Sequence, residues 1–184
     1  MTLRLTTLAT LALALSACDS QSGLGPELAP GPILPVAEGN AWAYESATSP
    51  DFELRVGEPA EVDGADYFRL EITEGGRASD EDEYVRAVGG GAELLYRASI
   101  GGEVVYREET VYRYPVDEGT YVVGRRSYTV ARERVTVPAG TFEVVTYSGY
   151  DGDPSVSASF APGVGIVRFF DGSDDRVLTD YDVR

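Results

Sequence analysis

Tyr67-Phe68-Arg69-Leu70-Glu71-Ile72-Thr73 is the stretch on which the fold turns. In an extended chain successive side chains point to opposite faces, so Phe68, Leu70 and Ile72 share one side while Tyr67, Arg69 and Glu71 take the other. A helical period would scatter both sets around the axis. The segment is therefore a half-buried strand.

The same alternation recurs on both sides of it. Leu94, Tyr96 and Ala98 oppose Glu93, Leu95 and Arg97; Val177, Thr179, Tyr181 and Val183 oppose Leu178, Asp180 and Asp182. Between such segments stand Gly, Pro and Asp clusters at intervals of about ten residues, the rhythm of an antiparallel sheet. Strands are read at 42–46, 52–57, 67–73, 83–88, 93–99, 104–114, 121–137, 142–150, 156–160, 165–170 and 176–183. No stretch keeps the i, i+3, i+4, i+7 pattern through three turns. A single layer cannot cover its own apolar face. The expected fold is all-β: one antiparallel, strongly curved sheet of about ten strands, closing toward a half-barrel or barrel, with little helix outside the N-terminal signal.

Two turns carry their chemistry openly. In Val137-Pro138-Ala139-Gly140 proline presets the first turn position and glycine supplies the left-handed conformation after it. In Ala161-Pro162-Gly163-Val164 proline followed by glycine is the type II pairing.

Ahead of the sheet, Arg4 precedes an uncharged apolar run from Leu5 to Leu15, which ends in Leu15-Ser16-Ala17-Cys18. A helix over that run would span only about 16 Å, against roughly 30 Å of hydrocarbon, so it reads as an export signal and not as a membrane span. Leu-Ser-Ala-Cys resembles the lipobox of bacterial lipoproteins. That resemblance implies cleavage after residue 17 and acylation of Cys18, the chain's single cysteine. Two or three acyl chains on Cys18 make attachment to a membrane persistent where one would not. Asp19 is similar to the enterobacterial signal for inner-membrane retention, a rule that does not transfer to all bacteria. The expected location is the cell envelope, lipid-anchored, with the outer membrane facing the periplasm preferred over the inner membrane or the cell surface. Residues 18–35, rich in Pro and Gly, read as an extended tether, and 36–184 as one β domain.

Charge and composition exclude much. The chain holds 31 acidic and 15 basic residues, a net charge of -16, and its basic residues are all arginine. Nucleic acid is therefore excluded as a partner, Arg125-Arg126 being the densest basic point. Without histidine there is no Ser-His-Asp or Cys-His machinery and no common zinc ligand. Without lysine there is no Schiff base. Acylated, Cys18 is no nucleophile.

The sequence also carries a family likeness. Gly39-Asn40-Ala41-Trp42-Ala43-Tyr44, Val135-Thr136-Val137-Pro138-Ala139-Gly140-Thr141-Phe142 and Ala161-Pro162-Gly163-Val164-Gly165-Ile166-Val167 resemble, in order and spacing, the motifs of a broad family of uncharacterised bacterial envelope lipoproteins. These are strand and turn motifs, so the resemblance implies fold and no chemistry. In outline such domains are similar to the curved sheets of periplasmic lipoprotein carriers, although no lid helix is legible here.

Three candidate sites remain. Asp151-Gly152-Asp153 and Asp171-Gly172-Ser173-Asp174-Asp175 place carboxylates in turns where calcium ligands could converge, yet Asp and Gly are also the ordinary residues of hairpin turns, and neither stretch has a full calcium loop. Ser79-Asp80-Glu81-Asp82-Glu83 reads as a solvated loop. Trp42 and the 12 tyrosines could form a platform for sugar rings, or could simply be strand and core residues. No metal, no cofactor and no catalytic residue is expected. The leading expectation is a non-enzymatic domain that binds an envelope protein or glycan partner. The alternative is a carrier or chaperone for a lipid or other apolar ligand, and a carboxylate-based hydrolase comes third. An apolar cavity above roughly 300 Å³ would favour the carrier.

Overall fold

The computed structural model describes residues 28–79, 83–100, 103–123, 126–149 and 155–184. The signal at 1–17, Cys18, most of the tether, Asp80 to Asp82, Arg125 and Asp151-Gly152-Asp153 lie outside the described residues.

Among the described residues there are thirteen strands and no helix. They are β1 (Ala41–Ser46), β2 (Phe52–Val62), β3 (Ala65–Glu74), β4 (Arg77–Ala78), β5 (Glu83–Val88), β6 (Gly91–Ile100), β7 (Glu103–Tyr112), β8 (Gly119–Val123), β9 (Arg126–Val137), β10 (Gly140–Ser148), β11 (Ser157–Ala161), β12 (Gly165–Phe170) and β13 (Asp175–Asp182). All pair antiparallel in one sheet of order β7-β6-β5-β3-β2-β1-β13-β12-β11-β10-β9-β8, with the short β4 beside β3. The expected fold holds, with more strands than the ten or so foreseen. One reason is that 121–137, read as a single strand, is two: Val123 faces Arg126 and β8 runs back along β9.

The order describes an up-and-down meander whose first and last strands join, Ala41 facing Asp182. Its two free edges, β7 and β8, are consecutive in the chain, and the sheet curls into a nearly closed barrel with them at the seam. Side chains stitch that seam. The Tyr147 hydroxyl donates to the Arg113 carbonyl at 2.6 Å, and the Tyr121 hydroxyl to that of Val111 at 3.2 Å. Tyr112 packs edge-on to Tyr147 with ring centres 5.1 Å apart.

The inner face is the one the alternation named. Leu70 is buried, with Phe68 and Ile72 packed on the core from the same strand. Tyr67, on the outer face, is buried as well, in a small cluster with Val62 and Leu95. At the other end of the chain a bulge opposite Ala43 and Tyr44 inserts one extra residue into β13. Leu178 thereby faces inward beside Tyr44 and is wholly buried, while Tyr181 is 38% exposed. A strict period of two does not survive a bulge.

The three family motifs meet at one end of the barrel, here called the base. Past Arg168 and Val177 the ladder between β12 and β13 stops, and side chains take over. Trp42 donates to the Val164 carbonyl at 2.6 Å, and Tyr44 to that of Ile166 at 3.0 Å. From the Val135–Phe142 motif, the Ala139 amide donates to the Leu178 carbonyl at 3.0 Å. Gly163 has the φ of 79° that a type II turn requires, and the Val164 amide closes that turn on the Ala161 carbonyl at 2.9 Å.

Across the base lies the end of the segment read as a tether. The Ile33 amide donates to the Gly90 carbonyl, in the turn between β5 and β6, at 2.9 Å. From the opposite wall the Gly163 amide donates to the Pro32 carbonyl at 2.7 Å. Ile33 and Leu34 are 0% and 2% exposed, so this strap belongs to the core. Burial of two such side chains stabilises the fold by about 1.5–3 kcal/mol each. The described core runs from Leu28 to Val183, so residues 19–184 include every described core residue.

Candidate functional site

Below mid-height the barrel is full: Ile33, Leu34, Trp42, Val85, Tyr147 and Phe160 are each no more than 2% exposed. Toward the opposite end it is hollow. A cavity of about 570 Å³ opens there, walled by Leu54, Leu70, Ile72 and Leu94 and by the rings of Tyr44, Phe52, Tyr112 and Phe169.

The walls follow from register. Leu54 faces Ile72 across β2 and β3, and Glu83 faces Leu70 across β5 and β3, so all four point inward. Burial pushes the Tyr44 hydroxyl far above its usual range, and it stays a proton donor to Ile166.

The charged and hydroxyl side chains of Glu74, Arg77, Ser79, Glu83 and Arg176 also line it, Glu74, Arg77 and Arg176 at the rim. Arg176 is the organiser. Its Nε donates to Asp174 Oδ2 and its Nη2 to Glu74 Oε1, both at 2.8 Å, while its guanidinium carbon sits 4.7 Å from the centre of the Phe52 ring. Asp174 also accepts hydrogen bonds from the hydroxyls of Ser46 and Thr48. The Ser46 hydroxyl foremost, then Arg176 and Thr48, hold its carboxyl well below the usual carboxylate range against the opposing effect of desolvation. The loop after β1 is thus pinned to the loop before β13, and both frame the mouth.

This accounts for the acidic turn at residues 171–175. Asp171 Oδ1 accepts the amides of Ser173 and Asp174 at 2.9 and 2.8 Å and the Ser173 hydroxyl at 2.9 Å. Asp175 pairs with Arg168 through two bonds of 2.8 and 2.7 Å. Each of the three carboxylates is engaged by protein donors, as in a structural turn, and among the described residues no three metal-binding side chains cluster. Trp42 is 1% exposed and belongs to the core. Among the described aromatic side chains Tyr181 alone is exposed.

The rim residue that sequence reading passed over is Arg77. Glu74-Gly75-Gly76-Arg77 returns the chain in a two-residue turn, with φ of 57° at Gly75 and 77° at Gly76. Two positive φ values define the tight hairpin turn that glycine pairs favour. A Gly-Gly pair following an alternating strand was the available signal.

No protein-family model and no curated protein sequence matches the chain. Among solved structures, a candidate lipoprotein from Parabacteroides distasonis is similar at 15% identity, with a TM-score of 0.46 over 83% of this chain and 99% of that one. A candidate exported protein with a YmcC-like fold, from Bacteroides fragilis, is similar at 15% identity and a TM-score of 0.46, over 81% of this chain and 98% of the other.

Proposed function

We propose that this chain is a lipid-anchored protein of the bacterial cell envelope whose barrel binds, without transforming it, a small ligand with an apolar body. The cavity carries the reading. At about 570 Å³ it falls within the roughly 300–1,000 Å³ of small-molecule sites and has their pattern of apolar walls and few polar groups. Of the two binding modes the sequence left open, a hollow barrel supports the carrier over a surface partner or glycan site. Trp42, Tyr44, Tyr112, Tyr128 and Tyr147, among the residues that could have built a sugar platform, are buried in the core.

Cys18 supplies the anchor in this reading, and the outer membrane facing the periplasm is the proposed location. The strap joins the domain at the base while the cavity opens at the other end. The described chain thus enters the barrel at the end away from the mouth, which leaves the mouth free of the strap.

Native mass spectrometry of residues 19–184, expressed with a cleavable export signal and purified from the periplasm, tests the proposal. The expected spectrum shows a bound amphiphile that organic solvent strips. A bare protein that also takes up no added apolar ligand would contradict it.

A further inference from the structure

We infer that the ligand has an acidic head group, a carboxylate or a phosphate, and that Arg77 is the residue that recognises it; this rests on reading the cavity as a ligand site. The inference follows from which charges at the rim are already committed. Arg176 is held between Asp174 and Glu74 and lies over Phe52, with its side chain only 18% exposed. Engaging it would mean breaking bonds the fold uses to join two loops. Glu74 is spent on the same guanidinium, and Glu83 has partners of its own.

Arg77 differs from both arginine and acids at the mouth. It lines the cavity, it is exposed, and among the described residues no carboxylate or carbonyl engages its guanidinium. Its placement is dictated locally. Leu70, Ile72 and Glu74 alternate onto the inner face of β3, and the Gly75-Gly76 turn sets Arg77 directly opposite Glu74, hence on that same face. A guanidinium with no partner among the described residues thus stands over a well of apolar side chains. The molecule that fits both has an apolar body to go down and an acid to stay at the rim, where the planar fork of arginine takes two oxygens of a carboxylate or phosphate.

The charge of the whole chain sharpens the test. At -16 it repels any anion at long range, so a preference for an acid head has to come from contact and not from the field.

The experiment uses residues 19–184 and four probes of one alkyl length below their aggregation limit: a fatty acid, an alkyl phosphate, the primary alcohol and the alkylamine. Each competes with a fluorescent apolar dye. The acid and the phosphate are expected to displace it at least about tenfold more tightly than the alcohol, the scale of one charge-assisted contact. Arg77→Gln should bring them within about twofold of the alcohol and leave the alcohol itself unchanged, whereas Arg77→Lys should keep part of the difference. Because Arg77 is exposed and bonds to nothing described, unchanged thermal unfolding of both variants certifies the fold. A carboxylate preferred over the phosphate points to a free acid, and the reverse to a phospholipid-like head. Equal binding of acid and alcohol by the unaltered protein would overturn the inference while leaving the cavity reading intact. Tighter binding of the amine would overturn it in favour of the acids Glu74 and Glu83. If neither dye nor probe binds, the cavity reading itself fails.

Discussion

Replacing both apolar residues of the strap, Ile33→Ala with Leu34→Ala, should cost the barrel a third or more of its stability. Both side chains are buried, at 0% and 2% exposure, in a base that is otherwise full, so their removal leaves a void that neighbours fill only in part. Single truncations of this kind cost about 2–5 kcal/mol each. The two residues share neighbours, so their effects will not simply add, and the double variant should lose about 5 kcal/mol. A domain typically has only about 5–15 kcal/mol in all. Guanidinium unfolding of residues 19–184 at 25 °C reads this directly, because the single tryptophan, Trp42, is buried at the same end. Val122→Ala serves as the control. Val122 is 58% exposed, and its loss should stay within about 0.5 kcal/mol. If the strap variant falls by less than about 1 kcal/mol, residues up to Pro35 are tether, as their composition suggested, and the base is closed by something else.

Three further outcomes are expected. Asp174→Asn should destabilise the fold by about 2 kcal/mol, since it removes the charge facing a mostly buried Arg176 that keeps Glu74. With the Asp174 carboxyl titrating lower in the folded state than in the unfolded chain, its stabilisation is present above about pH 4 and fades as pH falls through the folded value, so acid unfolding curves of the variant should be flatter there; an unchanged acid limb would contradict this. Tyr147→Phe removes the donor to the Arg113 carbonyl at the seam and should cost about 1–2 kcal/mol, with faster amide exchange along β7 and β8 than along β2 and β3; uniform exchange would show that the seam does not depend on it. Cys18→Ser should abolish incorporation of labelled palmitate, and retention of label would refute the lipobox reading.

How much of this was legible beforehand depends on what each feature needs. A strand such as β3 needs only its own alternation, and Phe68, Leu70 and Ile72 face the core as their spacing says. The Pro162-Gly163 turn needs one fixed φ and one positive one, both written in its residues. Leu178 is different, because the bulge opposite Ala43 and Tyr44 is a property of a strand pair and leaves no period in either strand alone. The strap reads from its Pro and Gly content as part of a mobile tether, but Ile33 and Leu34 are buried, and they gain that burial from turns some sixty and more than a hundred residues away. The cavity is harder still. It exists where inward side chains of opposite walls fail to meet, and no single strand records that. Arg77 lay between a recognised strand and a recognised acidic loop, behind a Gly-Gly pair whose meaning as a hairpin turn went unread.

The most direct test of the hollow barrel is dye binding by residues 19–184 beside the double variant Leu54→Trp with Ile72→Trp. These two residues face each other across β2 and β3 on the cavity wall. The unaltered domain should bind one apolar dye per chain with a large rise in fluorescence. The variant, folded by its thermal transition, should bind it at least tenfold more weakly. Undiminished binding by the folded variant would contradict the account, because the dye would then be held somewhere other than the mouth of the barrel.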